Sequence, residues 1–307
     1  MKLLANEEGG PGIAVAVAAL QDQASGMDAI VQGITAVEHS TEARSVGFGG
    51  WPNLLGEMEF DASVMDGDSL DSGAVGALQG TISAVAVARQ VMEQSPHQIL
   101  VGDGARRFAE DAGFEPEETL YEDSRRRWHE TLRATLSADQ FAAFPDIKLF
   151  TLPVIAANPE QVRDTTVYLC RDRNKTISTA SSTSGWGWKH PGRLGDAPIC
   201  GAGFYADSEY GAAACTHTGE MAIRAGTAHT VVSALKAGAS VEAAAKVAIG
   251  DLKRLKTGFL GGVVIHMLDA HEDHLVVNFR CEEQIRYWMW SPELEAVQLC
   301  DADIVVE

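Results

Sequence analysis

The sequence has few basic residues and no long apolar run. Its 24 lysines and arginines stand against 43 aspartates and glutamates, so the net charge of the 307 residues is −19. This charge argues against nucleic acid or an anionic membrane as a partner, because both attract basic surfaces. No window of about 18 apolar residues occurs, so we expect no transmembrane helix. The stretch MKLLANEEGG turns polar too early for a secretory signal, and we expect a cytoplasmic protein.

Cysteines are also scarce and widely spaced. They are Cys170, Cys200, Cys215, Cys281 and Cys300, and no two lie in a CxxC spacing. An odd number of cysteines with such spacing disfavours both a zinc site and a disulfide framework. We therefore predict buried free thiols and no metal site.

The pattern of apolar residues predicts an α+β fold. Alternating runs predict β-hairpins at 165–183 and 259–279. Apolar residues at helical spacing predict helices at 219–238 and 240–258, each ended by a glycine. Between 117 and 162 this pattern dissolves, and we predict an irregular linker in which SRRRWHETLRATLSADQF could form one helix. Long irregular connections in compact proteins are usually functional or disordered.

The stretch VRDTTVYLC, residues 162–170, has two interpretations. In one, a loop ends and a strand begins. In the other, the chain is cut and a threonine becomes a new N-terminus. An N-terminal threonine carries its own base, because its α-amine has a pKa of about 7.7–8.0 and can accept the hydroxyl proton.

Two downstream segments add groups that suit amide hydrolysis. Arg193 and Asp196 lie three residues apart in a glycine-rich loop, where they predict a clamp for the α-carboxylate and α-amine of an amino acid. The alternative is a local salt bridge. Thr216 and the next backbone N–H are candidate donors to an oxyanion, and the alternative is a helix N-cap.

Several segments together resemble one family in their order along the chain. They are SVGFGG, FDASVMDGDSLDSGAVGAL, the pair DT, GRLGDAPICGAGFYAD and GAAACTHTGE. The chain resembles the N-terminal-nucleophile (Ntn) amidohydrolases, which include plant-type asparaginases, isoaspartyl peptidases and glycosylasparaginases. The resemblance covers most of residues 10–116 and 163–265 and is strongest to glycosylasparaginases.

The resemblance implies a fold and a processing step. The fold would be a four-layer αββα sandwich, forming a single domain over 1–307. Autocleavage would give an α chain of 1–164 and a β chain of 165–307, and processed protomers would form a homodimer.

The resemblance also implies roles for individual residues. Thr165 resembles the nucleophile, released by cleavage after Asp164, and Thr183 resembles the threonine that supports it. Arg193 and Asp196 resemble the residues that bind the substrate's α-carboxylate and α-amine. The oxyanion hole, which also contacts substrate, would be formed by Thr216 and the backbone of His217.

The chain departs from the family pattern near the cut site and the oxyanion hole. Arg163 stands where the family has His or Gly, and Val167 follows a second threonine. Thr166 is therefore an alternative nucleophile, although Asp164 directly precedes Thr165. His217 replaces a glycine of the oxyanion hole.

The predicted function is a threonine amidohydrolase that needs no cofactor. Its small-molecule substrate would be N4-(β-N-acetylglucosaminyl)-L-asparagine or a related β-aspartyl compound, and it would release aspartate. An isoaspartyl peptidase or asparaginase is the alternative within the family. An unprocessed, catalytically silent binding protein is the alternative of another class. We expect the cluster His266, His271 and His274 to mark an exposed hairpin turn. We expect Trp186 and Trp188 to pack as ordinary apolar residues, and a sugar-stacking role is the alternative.

Overall fold

The computed structural model describes residues 1–43, 46–152 and 165–304. Arg163 and Asp164 lie outside the described residues, so the predicted cleavage site is described only from Thr165 onward. No helix in these three ranges is long and apolar enough to cross a membrane.

Serine caps and glycines set the ends of several helices. The helices are α1 (Gly10–Gln21), α2 (Gly26–Glu38), α3 (Ala84–Gln94), α4 (Gly102–Asp111), α5 (Glu122–Thr135), α6 (Ala138–Ala143), α7 (Gly219–Ala225), α8 (Thr227–Lys236) and α9 (Val241–Lys253). The side chains of Ser25 and Ser240 accept backbone hydrogen bonds at the starts of α2 and α9. The predicted helix at 219–238 is two helices, because Gly226 between them takes φ of 59° and interrupts the helical path.

The strands form two sheets. They are β1 (Lys2–Asn6), β2 (Phe60–Asp66), β3 (Ser72–Leu78), β4 (Ile99–Val101), β5 (Thr166–Arg171), β6 (Ile177–Thr183), β7 (Phe204–Asp207), β8 (Gly211–His217), β9 (Val263–Asp269), β10 (His274–Phe279), β11 (Arg286–Trp290), β12 (Gln298–Asp301) and β13 (Asp303–Ile304). The first sheet has the order β12-β11-β1-β5-β6-β2-β3-β4, and the second has the order β13-β10-β9-β8-β7. Both predicted hairpins are confirmed, as β5–β6 and β9–β10.

Three apolar clusters show how sheets and helices stack. Side chains of α1, α2 and α3 pack with one face of the first sheet. The other face of this sheet packs with the second sheet. Helices α7, α8 and α9 pack with the far face of the second sheet. Strand β5 shows the alternation, because Val167 and Leu169 join the cluster between the sheets while Tyr168 joins the helical cluster.

The described part of the predicted linker, 117–152, differs from our expectation of an irregular chain. It holds α5 and α6, because Ser137 and Gln140 form a capping box that starts α6 directly after α5 ends. Leu132 and Leu136 then bury their side chains against Trp51 and Trp188. The segment is rich in charge, and this obscured the short apolar stripe on which it folds.

Candidate active site

An open cleft lies where strands of both sheets end. It encloses about 240 Å³ of empty space. Its lining residues are Thr165, Thr183, Gly185, Trp186, Arg193, Gly195, Asp196 and His217. The structure therefore brings together five residues predicted from the sequence, which are Thr165, Thr183, Arg193, Asp196 and His217.

Thr165 is held by its backbone. It directly precedes β5, and the pairing of Thr166 with Ser182 puts it opposite Thr183 at the strand end. The Asn6 amide donates to the Thr165 carbonyl at 2.5 Å and accepts from the Val167 N–H at 2.9 Å. The backbone on both sides of Thr166 is thus fixed by one side chain from β1.

The second threonine of the pair faces away from the cleft. Thr166 is fully buried, and its hydroxyl lies 3.4 Å from the Asn6 side-chain oxygen. Successive residues of a strand point to opposite faces, so only one of the two threonines can enter the cleft. Thr165 is the one that lines it.

Thr183 ends β6 and turns the chain into the glycine-rich loop. Its hydroxyl oxygen accepts a hydrogen bond of 2.8 Å from the Gly185 N–H. Gly185 has φ of 73°, a conformation that costs glycine little. A Cβ at this position would lie 3.0 Å from Lys189 and 3.5 Å from Arg193, so glycine also keeps room for both cations.

Arg193 is oriented by an acid and an aromatic ring. Its Nε and Nη2 donate to the Glu220 carboxylate at 2.8–3.0 Å. Its guanidinium carbon lies 4.3 Å from the ring centre of Trp186, within the range of a cation–π contact. Among the atoms of Arg193, Nη1 is the one nearest to the position that a Cβ would take on Gly185 or Gly195, the two glycines of the cleft lining. One edge of the guanidinium is therefore used for orientation, and Nη1 is directed at the cleft.

Asp196 is a buried carboxyl with one unsatisfied oxygen. Its Oδ2 has no hydrogen-bond partner among the described residues. Burial raises the pKa of Asp196 to about 7, against smaller opposing contributions that include nearby Arg193. No ion pair joins Arg193 and Asp196 within the described chain, so the local salt bridge of the sequence analysis is not formed there. A buried carboxyl with a free oxygen is suited to receive a cationic group of a ligand.

Thr216 and His217 end β8 beside the cleft. His217 lines the cleft, whereas Thr216 is almost fully buried and is absent from the lining. The Thr216 hydroxyl lies 2.9 Å from Nδ1 of His217, and Nε2 of His217 lies 3.3 Å from Glu283. The alternative of an N-cap does not apply to Thr216, because the residue at the cap of α7 is Thr218.

Three residues near the cleft were missed by the sequence analysis. They are Asn6, Lys189 and Glu220. Lys189 is buried, donates to the Glu59 carbonyl at 3.1 Å, and has its pKa lowered chiefly by burial. Asn6, Lys189 and Glu220 each contact a residue that is distant along the chain, so no local sequence pattern identified them.

The remaining candidates from the sequence lie elsewhere. His266 is not in an exposed turn, because it faces the interior from β9, where burial lowers its pKa to about 3. The described ranges contain no group of three or more His, Cys, Asp or Glu residues arranged for a metal ion. Trp188 stacks on Trp51 with ring centres 5.5 Å apart, as expected for packing, whereas Trp186 lines the cleft.

The fold is a mixed structure of α-helices and β-strands, with two facing sheets flanked by helices. A polar cleft lies at the strand ends. The sequence profile of the family described as asparaginase matches residues 12–298, and the chain belongs to this family. The resemblance predicted from the motifs is thereby confirmed.

Curated relatives include N(4)-(beta-N-acetylglucosaminyl)-L-asparaginases. A putative one from Drosophila persimilis is 36% identical over 255 residues, covering 77% of this chain and 66% of the relative. One from Elizabethkingia miricola is 34% identical over 245 residues, covering 76% and 67%. One from Mus musculus is 33% identical over 254 residues, covering 78% and 73%. The chain spans about two thirds of the length of the first two of these relatives.

Proposed function

We propose that this protein is an autoprocessed threonine amidohydrolase that releases aspartate from asparagine derivatives. The observation that carries the proposal is the meeting of Thr165, Arg193 and Asp196 in one cleft. The family membership and the names of the relatives support it. We also propose the four-layer αββα sandwich, which the order of the three apolar clusters supports.

Processing would begin at the peptide bond before Thr165. The hydroxyl of Thr165 attacks the carbonyl carbon of Asp164, and the peptide C–N bond breaks to leave an ester. The α-amine of Thr165 is freed as this C–N bond breaks, and water then cleaves the ester to free the hydroxyl of Thr165 and the carboxylate of Asp164. Thr165 lines the cleft whereas Thr166 is fully buried, and this supports Thr165 over Thr166 as the nucleophile.

Catalysis would use the new α-amine as the base. The amine takes the hydroxyl proton as Oγ attacks the side-chain amide carbon of the substrate. The tetrahedral intermediate collapses, and the amine gives the proton to the leaving nitrogen. The resulting β-aspartyl ester is hydrolysed by water, which releases aspartate.

In substrate binding, the α-carboxylate and the α-ammonium of the substrate would each pair with one charged side chain. Nη1 of Arg193 holds the α-carboxylate, and Asp196 holds the α-ammonium. The incoming ammonium stabilises the ionised form of Asp196, whose carboxyl is otherwise desolvated. A substrate with a blocked α-amine is therefore excluded.

The oxyanion would be held by the Thr216 hydroxyl and the His217 N–H. Removal of one such donor typically costs about 10²–10³-fold in kcat. Thr216 lies behind the lining of the unprocessed cleft, so this role requires its hydroxyl to reach past His217 once the chain is cut.

The leaving group would be a glycosylamine, as the names of the relatives indicate for those proteins. Trp186 at the cleft offers an apolar face beside Arg193 for a sugar or another bulky group. An isoaspartyl peptidase or asparaginase shares the chemistry and differs only in this group. Comparison of glycosyl-asparagine, β-Asp-Leu and asparagine as substrates distinguishes them.

Intact-mass measurement of fresh and aged protein tests the proposal. Wild type should give two fragments that meet between Asp164 and Thr165, and Thr166→Ala should give the same cut. Thr165→Ala should stay full length and release no aspartate, a loss of at least about 10⁴-fold. A wild-type chain that never cleaves would instead favour the silent binding protein.

A further inference from the structure

Three side chains form a hydrogen-bonded row beside the cleft. Glu283, in the loop after β10, contacts Nε2 of His217 at 3.3 Å. Nδ1 of the same ring contacts the Thr216 hydroxyl at 2.9 Å. The imidazole therefore connects an exposed carboxylate to a buried hydroxyl whose proton the reaction needs.

The donors and acceptors along this row depend on protonation. A carboxylate only accepts, so the contact with Glu283 requires a proton on Nε2. In neutral His217, Nδ1 is then bare and must accept the Thr216 hydroxyl proton. In the imidazolium, Nδ1 carries a proton and donates to Thr216, whose own hydroxyl proton is released for another acceptor.

We propose that His217 is a positioning residue for Thr216, and that only its imidazolium form directs the Thr216 hydroxyl proton at the substrate oxyanion. The neutral ring holds this proton and weakens the oxyanion hole. The inference rests on the proposed function, because it assigns the oxyanion role to Thr216. It predicts a loss of activity as pH rises through the range in which histidine titrates, between about pH 5 and 8.

Charged and titratable groups surround the ring on several elements. Glu283 favours the imidazolium, although its side chain is 57% exposed and the attraction is screened. His266 on β9 is buried with its pKa lowered to about 3, so it is neutral across this range and adds no charge beside His217. Arg193 and Asp196 share the cleft with it and carry opposite charges. After processing, the α-amine of Thr165 would join this set.

The backbone at His217 supports a selected role for its side chain. Its φ is 85°, a region that favours glycine over most residues with a side chain. Histidine here thus carries a backbone cost that glycine avoids. His217→Gly and His217→Asn both suit this conformation, since asparagine also tolerates it, and both variants should fold.

The test is kcat and KM of processed enzyme from pH 5 to 9. Wild type should lose kcat on the alkaline side by roughly 10–100-fold with little change in KM, because one oxyanion donor is withdrawn. His217→Asn keeps a permanent amide donor and should lack this alkaline loss. Asp196 and the Thr165 amine titrate in the opposite sense, since their deprotonation aids the reaction.

A second variant, Glu283→Gln, tests the other contact of the His217 ring. In Glu283→Gln, the Gln amide can donate to Nε2, so neutral His217 can carry its proton on Nδ1 and still free Thr216. Glu283→Gln should therefore retain kcat at pH 8–9, where wild type loses it. Alkaline profiles that are parallel in wild type, His217→Asn and Glu283→Gln would overturn the inference.

Nitrogen-15 NMR of histidine-labelled protein separates this inference from the proposed function. We expect Nε2–H as the neutral tautomer of His217 in wild type, with the signal assigned by its absence in His217→Asn. An Nδ1–H tautomer would overturn the inference whether or not the protein is active. Absence of aspartate release at every pH would overturn the proposed function and leave the tautomer result standing.

Discussion

The two walls of the cleft are positioned by different means. Thr165 and Thr183 form a neutral wall that the pairing of β5 with β6 places at the strand ends. Arg193 and Asp196 form a charged wall on a loop, where Glu220 from elsewhere in the chain holds Arg193 and Asp196 is buried with one oxygen unpaired among the described residues. Strand pairing fixes Thr165 without any charged group, whereas the charged wall holds groups that water would otherwise solvate. The neutral wall thus needs no charged partner, whereas the charged wall has groups that a ligand of opposite charge can pair with.

The largest change to the charged wall should come from Asp196→Asn. The substrate ammonium would lose its charged partner, which costs about 2–5 kcal/mol for a buried charge left unpaired. We expect kcat/KM to fall by roughly 30-fold to 4,000-fold, since about 1.4 kcal/mol corresponds to tenfold. Steady-state kinetics with glycosyl-asparagine would measure the loss. Self-cleavage should persist, because the neutral wall is unchanged.

The same variant should be more stable than wild type at alkaline pH. The folded-state pKa of Asp196, about 7, lies above its ordinary value of 3.8. Its contribution to stability is therefore complete below about pH 4 and is lost as pH rises through about 7. Thermal unfolding of Asp196→Asn and wild type should differ most at pH 8 and converge near pH 4. A less stable variant at pH 8 would mean that Asp196 is already paired in the free protein.

A smaller effect is expected from Glu220→Gln. Glu220 holds Nε and Nη2 of Arg193, and its side chain is 33% exposed, so solvent screens the ion pair. We expect KM to rise by roughly tenfold, since loss of a charge-assisted hydrogen bond costs about 1.5 kcal/mol, with kcat little changed. Glu242→Gln, at the exposed start of α9, is the matched control. Equal kinetics in both variants would show that Trp186 alone orients Arg193.

The difference between the walls also explains what the sequence predicts. The β5–β6 hairpin follows from alternating β-branched residues and a polar turn, whereas the choice of Thr165 and Thr183 within it came from the resemblance to the family. Arg193 and Asp196 were found because they share one short loop. Glu220 and Asn6 were not found, because their partners lie 27 and 159 residues away and only the folded chain joins them.

Segments with mixed signals were predicted less well than the hairpins. Charge obscured α5 and α6, whose burial against Trp51 depends on a tertiary contact. Strand β8 is rich in glycine and alanine, so its sequence carries little strand preference, and pairing with β7 and β9 determines it. In both cases, packing against residues distant along the chain overrides the local sequence preference.

A buried carboxyl behind the neutral wall provides the comparison with the smallest expected effect on catalysis. Glu38 accepts hydrogen bonds from the Ser182 hydroxyl at 2.6 Å and the Val85 N–H at 2.9 Å, and its second oxygen has no partner among the described residues. Burial raises the pKa of Glu38 to about 8. Unlike Asp196, it does not line the cleft and has no ligand to stabilise its charge.

Glu38→Gln should therefore change stability and leave catalysis intact. The folded-state pKa lies above the ordinary 4.5, so the stabilising contribution of Glu38 is complete below about pH 4.5 and is lost as pH rises through about 8. We expect Glu38→Gln to unfold at a higher temperature than wild type at pH 9, because the buried amide carries no charge. We expect kcat/KM to stay within about twofold, a change of about 0.5 kcal/mol, because Glu38 does not line the cleft. A large loss of kcat/KM would show that Ser182 transmits the state of Glu38 to Thr183, and the two walls would then share a dependence on buried charge.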